Sequence, residues 1–372
     1  MDRCDILVRG DGAVGAVAAL ALSRAGFDVA LLGAAPTPGG APAAADPRSY
    51  ALNEASVSLL RSLKVWDAIP DAARTPVHDM RVEGDLPGAR LDFSAWSEAL
   101  PQLAWIVGAA ELEGALREAL RFAPHVRRVA AELPAALTVL AEGKASATRA
   151  RLGVRMERQS YGHRAIAARL VADRPHAGLA RQWFRSPDVL ALLPIDQPVA
   201  GHGLALVWSL PDARAQALLA LDAAAFEAEL MAATDGAAGT LALAGARTDW
   251  PLAIGYAEPV CGPGWVLLGD AAHVVHPLAG QGLNLGFGDV VSLVEVLAER
   301  EPWRALGDER LLARHARRRE APVRTMGLLT DGLLHLFASE QPLVKELRNR
   351  GLGLVNRLPP LKHLFARQAS GR

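Results

Sequence analysis

A chain of 372 residues, 51% of them apolar, is long enough to bury a sizeable core and reads as one large domain or two interwoven ones. Lys and Arg number 40, as do Asp and Glu, so the formal net charge is zero and nothing points to a nucleic-acid partner. With only Cys4 and Cys261 present, a disulfide scaffold and a cysteine-cluster metal site are excluded, no metal is expected, and a reducing cytoplasm fits. The N-terminus does not read as a signal peptide, and no stretch reaches the roughly 18 uninterrupted apolar residues of a membrane span.

In chain order, Asp5-Ile6-Leu7-Val8 reads as a strand that runs into Gly10-Asp11-Gly12-Ala13-Val14-Gly15. Ala16 to Ala25 is helical in composition and Gly26 closes it. Asp28 to Leu32 is a second strand. Strand, glycine turn, helix, strand is the context that makes G-x-G-x-x-G a dinucleotide fingerprint: the first glycine permits the turn, the second admits the pyrophosphate, the third lets the helix pack. Three details depart from the ideal. The acid that holds the adenosine ribose, due about 20 residues after the glycines, is absent: Gly33 stands there, and Asp28 is at the wrong end of its strand. Asp11 puts a carboxylate inside the phosphate loop. Arg9, just before the loop, is positioned to offset that charge. A bound dinucleotide is expected, with a weakened adenosine-side grip.

Gly33 to Asp46 reads as an exposed loop. Arg48 follows in Asp46-Pro47-Arg48-Ser49-Tyr50-Ala51-Leu52, ahead of a helix from Glu54 to Leu63. Leu103 to Val107 is strand-like and Glu111 to Leu120 helical. Mid-chain segments around Tyr161–Ile166, Arg174–Ala180, Leu190–Ile195 and Leu206–Ser209 alternate apolar and polar residues, as antiparallel strands do. Helices are expected over Leu311–Arg319 and Thr330–Phe337.

The most informative run is Gly269-Asp270-Ala271-Ala272-His273-Val274-Val275-His276-Pro277-Leu278-Ala279-Gly280-Gln281-Gly282-Leu283-Asn284-Leu285-Gly286. Trp265–Leu268 is a short buried strand, and Gly269-Asp270 delivers a carboxylate to its tip. Pro277 stiffens a loop. Gly280 and Gly282 strip side chains so that a planar ring can approach. A helix from Leu283 would aim unpartnered N–H groups back at that loop, a place for partial negative charge such as the N1–C2=O edge of a reduced flavin.

This run resembles the second FAD motif of the class A aromatic monooxygenases, and "HPLAGQGLNLG" is most similar to their ubiquinone-biosynthesis hydroxylases. The resemblance implies an α/β fold of the p-hydroxybenzoate hydroxylase type: a Rossmann-like FAD domain, a mixed and antiparallel substrate-domain sheet, and a helical C-terminus. Segments 1–75, 100–165 and 255–300 would form the FAD domain, 76–99 and 166–254 the substrate sheet, and 301–372 the terminal helices. It implies that Asp270 holds the ribitol chain, that Pro277 lies near the reactive edge of the ring, and that the Gly280–Asn284 backbone faces the pyrimidine side. Cofactor contacts are thus expected at Gly10, Gly12, Ala13, Val14, Gly15, Arg48, Gly269, Asp270, Pro277, Gly280, Gln281, Gly282, Leu283 and Asn284. The family's "D-x-R-x-x-A-L" assigns Arg48 to the FAD; an ordinary surface salt bridge is its other reading. The family's "A-D-G-x-R-S" survives as a remnant in Ala141-Glu142-Gly143-Lys144-Ala145-Ser146, with the acid now Glu142 and the arginine now Ala145.

By the same resemblance NAD(P)H reduces the flavin, O2 adds to it as a hydroperoxide, and an oxygen atom passes to a polyprenylated phenol of ubiquinone biosynthesis. No acid or base residue is assigned: His176 reads as a turn histidine, and His273 and His276 as shapers of the flavin loop. A same-fold flavoenzyme with another aromatic or prenyl substrate, and a non-catalytic accessory paralogue, are the alternatives. The tail carries Lys345, Arg348, Arg350, Arg357, Lys362, Arg367 and Arg372 among apolar residues. It reads either as a solvated helix or as peripheral contact with an anionic inner membrane face or a biosynthetic complex.

Overall fold

The computed structural model describes residues 3–33, 46–86, 88–275 and 280–338. The chain opens with β1 (Cys4–Arg9), α1 (Ala13–Arg24) and β2 (Val29–Leu32). Next come β3 (Ser49–Leu52), α2 (Glu54–Ser62), β4 (Arg74–Val77), β5 (Asp79–Glu83), β6 (Arg90–Ser94), β7 (Ala104–Gly108) and α3 (Ala109–Arg121). β8 (Val126–Val129), β9 (Ala135–Leu140) and the short α4 (Ala147–Arg151) lead into β10 (Arg155–Ala172), β11 (Leu179–Arg185), β12 (Asp188–Ile195) and β13 (Gly203–Pro211). The remainder is α5 (Asp212–Ala220), α6 (Ala223–Thr234), β14 (Leu241–Leu243), β15 (Thr248–Glu258), β16 (Cys261–Gly262), β17 (Trp265–Leu267), β18 (His273–Val274), α7 (Gln281–Ala298) and α8 (Glu309–Ala338).

A six-stranded sheet has the order β16-β17-β9-β1-β2-β8, parallel from β17 to β8. Parallel strands are covered on both faces, which is why Ile6, Val8, Val29 and Val139 are fully buried. α1 is apolar nearly all round, and Ala16 to Leu22 are all buried; its small side chains let it sit between the sheet, α3 and α7.

The second sheet runs β18-β15-β10-β13-β12-β11-β5-β6, with β14 on β10. Period-2 alternation sends Ile166, Leu190, Leu206 and Trp208 to one face, where α5 and α6 cover them through Leu218, Phe226 and Leu230. Trp208 meets Phe226 edge to face at 6.1 Å. On the opposite side Val82, Leu91, Phe184 and Val189 form a separate cluster beside Tyr161. A small antiparallel sheet, β3-β7-β4, joins the two units through Val77, Ile106 and Ala205.

The expected alternation of strand and helix is present, and the roof is antiparallel except where β5 pairs parallel with β11; of the Arg174–Ala180 segment only the last two residues are strand. Two elements differ. α7 begins at Gln281, two residues before the expected start, because Gly280 adopts φ +62 and caps it in the left-handed region. The two expected C-terminal helices are one, α8, which runs through Pro322 while one side packs against α7 and β16; the proline removes one ladder hydrogen bond without ending the helix. The residues beyond 338, with the basic tail, lie outside the described residues.

Trp208→Ala opens a cavity between the second sheet and α6. It is expected to cost about 3–5 kcal/mol, read as a lower denaturant midpoint; an unchanged midpoint would mean that this layer does not support the fold.

Candidate functional site

Four parallel strands end at one edge. Arg9 lies opposite Leu32 on one side and Leu140 on the other, and Leu140 lies opposite Leu267. The residues that follow these strand ends are Gly10–Gly12, Gly33, Ala141–Glu142 and Leu268–Asp270. The chain passes from β1 to β2 on one side while β9 flanks β1 on the other. A crevice opens at such a reversal of strand order.

The glycines divide into those that close the site and those that open it. Gly10 has φ +101 and donates its N–H to Leu32 O (2.9 Å); a Cβ there would lie 2.3 Å from Ala141 O. A Cβ on Gly15 would lie 1.9 Å from Gly10 O, so α1 meets its own loop only without that atom. At Gly12 and Gly282 an added Cβ would meet nothing within 4 Å. Gly12 precedes α1, whose first-turn N–H groups lack helical partners and favour an anion. These positions fit a pyrophosphate and a flat ring.

The two glycine segments are one site. Val14 reaches both halves of the second: a Cβ on Gly269 would sit 3.2 Å, and one on Gly286 2.7 Å, from Val14 Cγ2. Asp270 is half-buried at this junction. Tyr50 lies within electrostatic reach of Asp270, Arg48 and Glu113, and burial, with its acidic neighbours, pushes its hydroxyl up to about 12. Arg48 itself forms a forked ion pair with Asp46. Arg48 therefore makes the salt bridge of its other reading, within electrostatic reach of Tyr50.

Side chains that motif reading missed hold this geometry. Asp289, 2% exposed on α7, accepts from Gly269 N–H (2.9 Å) and lies 2.7 Å from His273 Nε2; its other oxygen accepts from Arg319 Nε at 2.7 Å. Burial would raise its carboxyl, but the hydrogen bond with His273 and the charge of Arg319 hold it far below the usual carboxylate range. Since an ionised carboxylate only accepts, His273 Nε2 carries the proton of their bond. The signal was present: Asp289 falls on the apolar stripe of α7 with Leu285, Ser292 and Val296. His273 is therefore a shaper of the loop, as expected; His276 and Pro277 lie outside the described residues.

Asn284 has its side chain fully engaged. Its Oδ1 accepts from Asn53 N–H (3.1 Å) and Ser56 Oγ (2.7 Å), and its Nδ2 donates to Ala51 O (2.9 Å) and Gln281 Oε1 (3.2 Å). It clamps α7 to α2 and β3, leaving only its backbone for a ligand. Gln281 is buried beside it, and Leu283 packs on the main core. Gly280 approaches Ala51 so closely that a Cβ would lie 2.9 Å from Ala51 Cβ.

The remnant motif is a densely hydrogen-bonded loop. Burial would raise Glu142, yet hydrogen bonds from Ser146, Arg9 and Thr148 bring it down to about 2. Ala145 stands where the family motif has its arginine; four residues on, Arg149 is buried and donates to Ala271 O (2.9 Å) and Lys144 O (3.0 Å), tying the loop down. Arg9 does not offset Asp11. It pairs with Glu142 and Glu132, while Arg128 lies 3.6 Å from Asp11. His176 is a turn residue: its Nδ1 accepts from Gly178 N–H (3.1 Å) beside the left-handed Ala177 and Gly178. Among the described residues there is no cluster of potential metal ligands and no helix long and apolar enough to cross a membrane.

A dinucleotide crevice beside an antiparallel roof defines an FAD-binding α/β protein. The family model "FAD binding domain" matches residues 3–136 and 124–327, and the chain belongs to that family. Ubiquinone hydroxylase UbiL of Rhodospirillum rubrum is 31% identical over 99% of this chain and 89% of its own length. The 3-demethoxyubiquinol 3-hydroxylase of Escherichia coli is 31% identical over 99% and 98%. Among solved structures, p-nitrophenol 4-monooxygenase from Pseudomonas putida superposes with TM-score 0.76 over the whole of both chains at 16% identity. PqsL from Pseudomonas aeruginosa, a probable FAD-dependent monooxygenase, also reaches 0.76, at 21% identity over 94% of this chain and 99% of its own. These structures share the fold. The protein is an FAD-dependent hydroxylase of the class A aromatic monooxygenase type.

His315 offers a pH test. It is 2% exposed beside Ser292, and burial, reinforced by Arg319, drives its pKa down to about 4. An ordinary histidine titrates near 6.5. Between those values the unfolded chain binds a proton that the folded protein refuses, so stability is lost as pH falls from about 6.5 to about 4. The loss from this residue is on the order of 3 kcal/mol. His315→Gln should flatten the dependence of the denaturant midpoint over that window; an unchanged slope would mean that His315 is not held neutral.

Proposed function

We propose that this protein hydroxylates the ring of a polyprenylated phenol in ubiquinone biosynthesis, with NAD(P)H as reductant and O2 as oxygen source. The observation that carries this reading is the union of the Gly10–Gly15 and Gly269–Gly286 segments around Val14, in a chain with relatives over nearly its full length named ubiquinone hydroxylase UbiL and 3-demethoxyubiquinol 3-hydroxylase. When bound, FAD supplies the redox chemistry: it accepts two electrons from NAD(P)H and passes them to O2, so that one oxygen atom enters an electron-rich ring and the other leaves as water.

The residues supply binding, orientation and dryness. Gly10, Gly12, Ala13, Val14 and Gly15 receive the pyrophosphate at the N-terminus of α1. Asp270 takes the ribitol hydroxyls, with Arg48 close by. Gly269 sets the turn that aims Asp270. The backbone from Gly280 through Gln281, Gly282, Leu283 and Asn284 faces the pyrimidine edge, where the first N–H groups of α7 favour negative charge. Pro277 is assigned to the reactive edge. The apolar face of the second sheet, with Phe184, Val189, Met80, Phe93 and Tyr161, suits an aromatic substrate and keeps water from the reaction. Tyr161 Oη donates to Asp331 (2.8 Å), tying that face to α8. A prenyl tail resides in a bilayer, and the basic segment from Lys345 to Arg372 is the part of the chain proposed to meet its anionic surface.

The test combines colour and turnover. The purified protein should keep a flavin band through desalting, and Asp270→Ala should lose most of it. NAD(P)H consumption should depend on an added phenol and rise with tail length. Stimulation by short-chain phenols alone would overturn the polyprenyl substrate, and full flavin content in Asp270→Ala would overturn the ribitol assignment.

A further inference from the structure

We propose that Asp11 is the carboxylate that holds the adenosine ribose of FAD, delivered from the glycine loop to the end of β2 because Gly33 leaves that place empty of its own side chain. The inference rests on FAD lying across the edge formed by β1, β2 and β9, and it deepens that reading.

A strand–turn–helix–strand dinucleotide site uses an acid at the end of its second strand, where two carboxylate oxygens meet the ribose diol. Here β2 ends at Leu32 and the next residue is Gly33. The space above Gly33 is filled from elsewhere: a Cβ built there would lie 2.3 Å from Asp11 Oδ2 and 2.7 Å from Asp11 Cγ. The Asp11 carboxylate therefore occupies the volume in which a side chain at 33 would begin. Any larger residue at 33 would evict it. The missing acid and the surplus acid are one exchange, in which the same functional group reaches the same place from a neighbouring segment.

The surroundings support a charged group in that position. Gly10, at φ +101, turns the chain and ties it to β2 through its N–H bond to Leu32 O (2.9 Å), which sets the next residue beside the strand end. Arg128 on β8, one strand further on, lies 3.6 Å from Asp11 Oδ2 and limits repulsion of a nearby pyrophosphate. The Asp11 side chain is 35% exposed, so its carboxylate remains reachable. Gly12, next in the chain, faces open space, which separates the place for phosphate from the place for the acid.

The experiment measures affinity of the apo-protein for FAD and for FMN, which lacks the adenosine half, by quenching of flavin fluorescence. Asp11→Ala should weaken FAD roughly tenfold to a hundredfold, the loss expected for hydrogen bonds to a charged group, and leave FMN unchanged. Gly33→Ala should weaken FAD similarly by displacing Asp11, and adding it to Asp11→Ala should cause little further loss. The exchange Asp11→Gly with Gly33→Glu should restore FAD affinity. An FAD carrying 2′-deoxyadenosine should bind the wild type and Asp11→Ala more nearly alike. If Asp11 merely repels the pyrophosphate, Asp11→Ala binds FAD more tightly, and that result, or an unchanged affinity, overturns the proposal. A wild-type protein that takes up neither flavin would instead overturn the site reading beneath it. If the exchanged variant does not fold, the FAD-to-FMN comparison on Asp11→Ala still decides.

Discussion

Asp289 is a carboxylate almost wholly removed from water, and removing an ion from water is very costly unless partners replace the lost hydration. Gly269 N–H, His273 and Arg319 do so from three different places: the turn after β17, β18 and α8. Each partner has one position that satisfies the charge, so the network has little freedom to drift. The proposed ribitol-binding Asp270 follows directly on Gly269 and inherits that rigidity. Arg149 adds a second tether one residue beyond, at Ala271 O. The segment that would face the ring is thus aimed by side chains that have no direct part in binding it.

The remainder of the site is shaped largely by what is missing. At Gly10, Gly15, Gly269, Gly280 and Gly286 an added Cβ would collide or crowd, so these positions bring backbone and helices together. At Gly12 and Gly282 the same addition would enter open space, so these positions leave room for a ligand. Val14 joins the two groups by reaching from the first helix into the second glycine segment. A flavin is long, charged at its middle and flat at one end. A crevice of exposed N–H groups, one placed carboxylate and side-chain-free backbone matches those demands.

Much of this was legible in the chain. Apolar runs broken by glycine placed β1, α1, β2 and β17, and alternation placed β10, β12 and β13, because both patterns reflect local geometry. The two glycine segments meet around Val14. Hidden were the supports. Asp289 pairs with a histidine 16 positions away and an arginine 30 away, and Asn284 clamps residues more than 220 positions distant. No short window contains both members of such a pair. The buried donor Arg149, from α4, was hidden in the same way, since its partner Ala271 O is 122 positions distant.

Taken alone, then, the amino-acid order determined the α/β class, the two glycine segments, the carboxylate at Asp270 and the antiparallel roof, since propensity, periodicity and turn chemistry act over a few residues. Only the tertiary structure decided which charges compensate which, and the glycine loop shows why. Arg9 is two residues from Asp11 in sequence and engages Glu142 and Glu132 instead, while Arg128 comes to Asp11 from a strand two places away in the sheet. Gly33 and Asp11 look like two separate defects until the parallel pairing of β1 with β2 sets one directly over the other. Electrostatic and steric energies depend on distance through space, and that distance exists only once the sheet has formed.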